Sequence, residues 1–173
     1  GYTTDKSWFV ARWREYIDNE PKGFLTNHPK RDPIYEALVA NDIPLIIHIG
    51  DPDTYSASQY RDSEKYGLKD GHLQELEDVL SQHRILRVQV PHLGAQPEIH
   101  RLPALARWME KFHNGVVDTA SSRWMARELS KGTEKAREVM LKYLDRDLFG
   151  TDHFANNYTH HYFSARYVYT RIL

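Results

Sequence analysis

Apolar positions along the chain alternate between short β-branched runs and longer helical stripes. Leu45-Ile46-Ile47-His48-Ile49 is set off by Pro44 and broken by Gly50-Asp51-Pro52-Asp53, and it reads as a strand buried on both faces. Upstream, Asp32-Pro33 supplies a cap and a first-turn proline for a helix through Ile34 to Ala40. Downstream, a loop carrying Tyr55, Tyr60 and Tyr66 leads to a helix over 71–82 with Leu73, Leu76, Val79 and Leu80 on one face. A second strand over 86–91 ends at His92-Leu93-Gly94. It is followed by a helix over 101–113 with Leu102, Leu105, Met109 and Phe112 on one stripe. Gly115-Val116-Val117-Asp118-Thr119 is a third strand, and helices over 123–129 and 133–144 flank Gly132. A fourth strand, Asp147-Leu148-Phe149-Gly150, ends at Thr151-Asp152. The segment 8–13 fits a strand or a short helix, and the aromatic stretch 162–173 reads as a helix.

Strands and helices that alternate in units of roughly 25 to 45 residues predict parallel strands with helical crossovers, an α/β class, and not an antiparallel sandwich. One domain over 1–173 is the simplest organisation. At 173 residues the chain is shorter than the roughly 250 residues of a complete (β/α)8 barrel.

Charge and composition narrow the function. With 23 basic against 24 acidic side chains, no basic surplus exists to neutralise nucleic-acid phosphates or an anionic membrane. No run approaches the roughly 20 apolar residues of a membrane span. Cysteine is absent, which removes disulfides, thiolate nucleophiles and cysteine metal ligands and fits a cytoplasmic location. A small-molecule substrate is the partner this leaves.

Three strands end in a residue able to do chemistry: His48, His92 and Asp152. Parallel strands align their carboxyl ends, and α/β proteins place ligands there. Two imidazoles and a carboxylate suit zinc or another divalent metal, or a metal-free proton-transfer group. Each also has a plain structural alternative: a hydrogen-bonded core histidine for His48, a turn for His92, a cap for Asp152. Among secondary candidates, Asp51 and Tyr55 are readable as substrate contacts or as turn and packing residues, and Asp118 as a pocket residue or a cap. His72 reads as a surface or capping residue, Trp108 and Trp124 as helix packing, Arg123 as solvated, and Arg61–Lys65 as a solvated loop.

The motifs, taken in order, resemble the amidohydrolase superfamily, in its branch of metal-dependent hydrolases and aromatic-acid decarboxylases. Asp32-Pro33-Ile34-Tyr35-Glu36-Ala37 followed by Ile43-Pro44-Leu45-Ile46-Ile47-His48-Ile49 is similar to the helix and fifth strand of that barrel. Pro91-His92-Leu93-Gly94-Ala95 resembles the end of the sixth strand. Val117-Asp118-Thr119-Ala120-Ser121 resembles the seventh, and Asp147-Leu148-Phe149-Gly150-Thr151-Asp152 the eighth. The resemblance implies the second half of a TIM barrel, without the amino-terminal strands and their His-x-His metal ligands. It makes His48 and Asp152 ligands of a divalent metal, zinc or manganese. It makes His92 and Asp152 catalytic, Asp152 as general base; Asp51, Tyr55 and Asp118 stand as candidate substrate contacts from their positions alone. The implied activity is metal-dependent hydrolysis of a small amide, ester or lactone. The alternatives are decarboxylation of a small aromatic or unsaturated acid, and a non-catalytic half-barrel. The implied partner is the missing amino-terminal half, a complementary chain, or a second copy in a homo-oligomer.

Overall fold

Leu45 and Ile47 are fully buried while Ile46 and His48 between them are half-buried, so strand β2 (Leu45–His48) has one dry face and one partly open face. The expectation of burial on both faces is corrected on this point. The computed structural model describes residues 4–9, 25–120, 124–150 and 152. The expectations for 10–13, Arg123 and 162–173 lie outside them. The chain divides into two compact units, 1–90 with 112–115, and 91–111 with 116–173.

In the first unit, β1 (Asp5–Trp8) pairs parallel to β2, Asp5 opposite Leu45 and Trp8 opposite His48. β2 pairs parallel to β3 (Val88–Val90), Leu45 opposite Val88. Of the segment 8–13, left undecided between strand and helix, Trp8 closes β1 and residues 10–13 lie outside the described residues. Helix α1 (Asp32–Ala40) buries Tyr35 and Leu38. Its start is not the expected Asp32 cap. A 3-10 turn over Pro29–Arg31, capped by His28 Nδ1 accepting from the Lys30 amide, runs directly into it and places Asp32 in the first turn. There the carboxylate faces the positive end of the helix dipole. Helix α4 (Lys69–Gln82) buries Leu76, Val79 and Leu80 as expected, and also Lys69 and His72. His72 was expected at the surface. Its imidazole is instead buried, with Nε2 2.9 Å from the Tyr66 carbonyl and Nδ1 3.5 Å from Glu75. The tyrosine loop holds two short helices that no periodicity revealed, α2 (Asp53–Ser56) and α3 (Ser63–Tyr66). Asp62 caps the second by accepting from the Glu64 and Lys65 amides. β3 is shorter than its apolar run, because the Leu86 amide and carbonyl are taken by the His83 carbonyl and the Asn114 side chain.

In the second unit, β4 (Gly115–Asp118) pairs parallel to β5 (Asp147–Leu148), Val117 opposite Asp147. The segment Pro91–Ala95, α5, is a left-handed turn. Helix α6 (Leu102–Lys111) buries Leu102, Leu105, Trp108 and Met109, and α7 (Trp124–Leu129) buries Trp124, Met125 and Leu129. Both tryptophans are the packing residues their positions predict. Helix α8 (Thr133–Lys142) leads through Tyr143, whose hydroxyl donates to the Ala106 carbonyl at 3.0 Å, back to β5.

Among the described residues these parallel β–α units, an open and incomplete set of five strands, amount to roughly half of a (β/α)8 barrel. Among the described residues no helix is long and apolar enough to cross a membrane. Leu76 is 1 % exposed and Ile85 is 79 % exposed, so urea unfolding should separate them. Leu76→Ala is expected to cost about 2–5 kcal/mol by loss of transfer energy and cavity formation. Ile85→Ala should stay within about 0.5 kcal/mol.

Candidate active site

The second unit carries its chemistry on the turn that follows β3. His92, Leu93, Gly94 and Ala95 have φ of 61°, 50°, 64° and 59°, a run of left-handed residues of which only Gly94 escapes the Cβ penalty. That penalty is roughly 1–2 kcal/mol for each of the other three, so the turn persists only where its surroundings over-determine it. They do so through Asp118, at the end of β4 and 3 % exposed. Its Oδ1 accepts from the His92 amide at 3.1 Å and from the Ala120 amide at 2.8 Å. His92, 7 % exposed, closes the arrangement with Nδ1 on the Ala120 carbonyl. A carbonyl only accepts, so Nδ1 carries the proton and Nε2 is the lone-pair nitrogen of the neutral ring. The Trp124 ring lies 5.8 Å from the imidazole, and its Nε1 donates to the buried Glu98 at 2.9 Å.

Close approach holds the neighbouring strand end. A Cβ on Gly150 would sit 2.8 Å from the Ala120 Cβ and 3.1 Å from its amide nitrogen. Only glycine lets the end of β5 lie against residues 119–120, where Thr119 Oγ1 donates to the Gly150 carbonyl or accepts from its amide. Asp152, just beyond, has φ of 52° and is half-buried. Asp147 opens the same strand and was not a candidate from sequence. Its Oδ1 is buried with no hydrogen-bond partner among the described residues. Burial, and secondarily the Asp118 charge, push its carboxyl up to about 7. The signal that exposes Asp147 is the strand register, which sequence periodicity does not supply.

The first unit seats His48 and Asp51. His48 Nε2 lies 3.5 Å from Asp51 Oδ1, and the Tyr60 hydroxyl donates to Asp51 Oδ2 at 3.0 Å. Tyr60 and Tyr66 pack as buried rings with centroids 5.2 Å apart, and the more exposed Tyr55 meets Tyr60 edge-on at 6.3 Å. Lys69, 6 % exposed, pairs with Asp53 at 3.0 Å. A cavity of about 10 Å³ beside Asp51, Tyr60, Lys69 and His72 has the room of one water molecule. Of the residues expected from sequence, the structure brings His92 and Asp118 together in the second unit, and His48 and Asp51 in the first.

Among the described residues no three histidine, aspartate or glutamate side chains gather as a metal site. The two metal ligands expected from sequence, His48 and Asp152, would fall short of the three that zinc usually takes from protein. The described residues therefore do not by themselves fit a metal centre.

The amidohydrolase family model matches residues 10–171, and the chain belongs to that family. Among curated proteins no sequence matches it. It is similar in fold to 5-carboxyvanillate decarboxylase from Novosphingobium aromaticivorans, complexed with manganese and 4-hydroxy-3-methoxy-5-nitrobenzoic acid. Identity is 16%, coverage 95% of this chain and 56% of that one, and the TM-score 0.48. A mutant of that decarboxylase, also with manganese, matches at 19% identity over 94% of this chain and 55% of the other, with a TM-score of 0.46. The chain thus spans about half the length of these proteins.

The raised Asp147 carboxyl has a consequence for stability. Between the ordinary carboxyl pKa of 3.8 and about 7, the folded chain holds a proton that the unfolded chain has lost. Stability present below that window is lost as pH rises through it, with a slope on the order of 1 kcal/mol per pH unit, and levels above it. Urea unfolding of Asp147→Asn across the same range should lack this component. A wild-type curve that rises between pH 4 and 7 by as much as the variant's would contradict the assignment.

Proposed function

We propose that the chain supplies the proton-handling part of an amidohydrolase-family enzyme acting on a small organic acid or its derivative. The observation that supports this most is the seating of His92, a buried imidazole at a strand end with its tautomer set by a backbone carbonyl. A neutral ring with its lone pair on Nε2 takes up a proton there and returns it at the same atom.

Decarboxylation of a small aromatic or unsaturated acid is the first reading, because it asks for one proton transfer to carbon. Nε2 first takes a proton from solvent; the bond to the carboxylate carbon then breaks, its electron pair stays on the ring or vinyl carbon, that carbon takes the proton from Nε2, CO2 leaves, and Nε2 regains its lone pair. Hydrolysis of an amide, ester or lactone is the second reading. It additionally needs a positioned water, for which Asp152 is the proposed base. In either case His48 and Asp152 are the proposed ligands of a divalent metal, zinc or manganese, completed by ligands beyond the described residues. When bound, such a metal polarises the substrate's carboxylate or carbonyl. Asp51 and Tyr55 remain proposed substrate-side residues. The acting species is proposed to be a complete barrel, with the other half in the same polypeptide or in a complementary chain.

The test is turnover by the complete protein on a panel of aromatic acids, amides and lactones. CO2 release is expected, with His92→Gln lowering kcat by about 10²–10⁴-fold. Asp152→Asn should abolish turnover with an unchanged circular dichroism spectrum. Hydrolysis without CO2 would replace the first reading by the second, and turnover of neither class would overturn both.

A further inference from the structure

We propose that Asp118 is the positioning residue of His92. A single carboxylate oxygen accepts the amide protons of His92 and Ala120, locks the turn after β3 against the segment after β4, and so decides which imidazole nitrogen carries the proton. The significance of His92 rests on the functional reading above; the control of its tautomer does not.

The geometry leaves little freedom. Oδ1 reaches the His92 amide at 3.1 Å and the Ala120 amide at 2.8 Å, so the two backbone segments meet at one atom. The Ala120 carbonyl that receives His92 Nδ1 belongs to the same residue whose amide Asp118 holds. Fixing that amide orients the adjoining carbonyl, because the residue has only two soft dihedrals to absorb any difference. His92 and Leu93 stand at φ of 61° and 50°, a conformation their side chains do not favour, and the hydrogen bonds to Oδ1 offset it. Without Asp118 the turn is expected to relax and the carbonyl to leave Nδ1. The ring would then shift toward the Nε2–H form, whose lone pair is on Nδ1, facing away from the side that Nε2 serves. Asp118 needs only its lone pairs for this, so asparagine should substitute where alanine does not.

The experiment uses the protein with ¹⁵N-labelled histidine and two variants, Asp118→Asn and Asp118→Ala. Long-range ¹H–¹⁵N spectra read which His92 nitrogen is protonated, and hydrogen exchange reads the His92 and Ala120 amides. Wild type and Asp118→Asn are expected to show protonated Nδ1 and slow exchange of both amides. Asp118→Ala is expected to gain the Nε2–H form and to exchange both amides at least about tenfold faster. Alanine leaving tautomer and exchange unchanged would overturn the proposal, as would asparagine perturbing them as much as alanine. Should Asp118→Ala fail to fold, the wild type still decides. Unprotected His92 and Ala120 amides, or a protonated Nε2, would overturn it, and protected amides with protonated Nδ1 that persist in Asp118→Asn would support it. None of these readouts depends on turnover, so an inactive protein would sink the functional reading and leave this one standing on its own data.

Discussion

One carboxylate oxygen, Asp118 Oδ1, holds the arrangement on which the candidate chemistry depends. It is buried, and it takes two amide protons from segments that follow different strands. Removing a buried charge from water is costly unless hydrogen bonds compensate it. Here the compensation comes from backbone groups that themselves need partners. The same two bonds therefore satisfy one carboxylate oxygen, satisfy two amides and offset the left-handed conformation of His92 and Leu93. Asp147, on the neighbouring strand, bears the electrostatic consequence: its carboxyl is driven toward neutrality by burial and by the Asp118 charge.

Parallel strands explain why chemistry-bearing residues recur where they do. The carboxyl ends of β2 and β3 lead into a turn or loop before a helix, and such connections vary without disturbing the strand ladder. In the first unit that position holds His48 with Asp51 and Tyr60. In the second it holds His92 with Asp118 and Ala120. Gly150 plays a supporting part at the end of β5, where any side chain would strike Ala120.

The elements were legible in the sequence where period and punctuation agreed. The stripe of Leu102, Leu105 and Met109 marks α6, and the run 45–49 between Pro44 and Gly50 marks β2. The two short helices around Tyr55 and Tyr66 were not legible, because four residues give no periodicity and the Asp62 cap is meaningful only once its amide partners are known. His72 read as a surface residue because its partners, the Tyr66 carbonyl and Glu75, are supplied by packing and not by local pattern. Of the site, His92 and Asp118 were visible as residue types at strand ends. Their relation was not, since it depends on a run of left-handed φ angles that only Gly94 signals; Asp147 stayed hidden because only strand register brings it opposite Val117.

The most direct measurement is a crystal structure of the complete protein with a substrate-like aromatic acid bound. The account predicts His92 Nε2 within hydrogen-bond distance of the ligand's reacting carbon or carboxylate, the turn over 92–95 still left-handed, and Asp118 still on the His92 and Ala120 amides. A ligand bound away from the strand ends, or an imidazole turned so that Nδ1 faces the ligand, would contradict it.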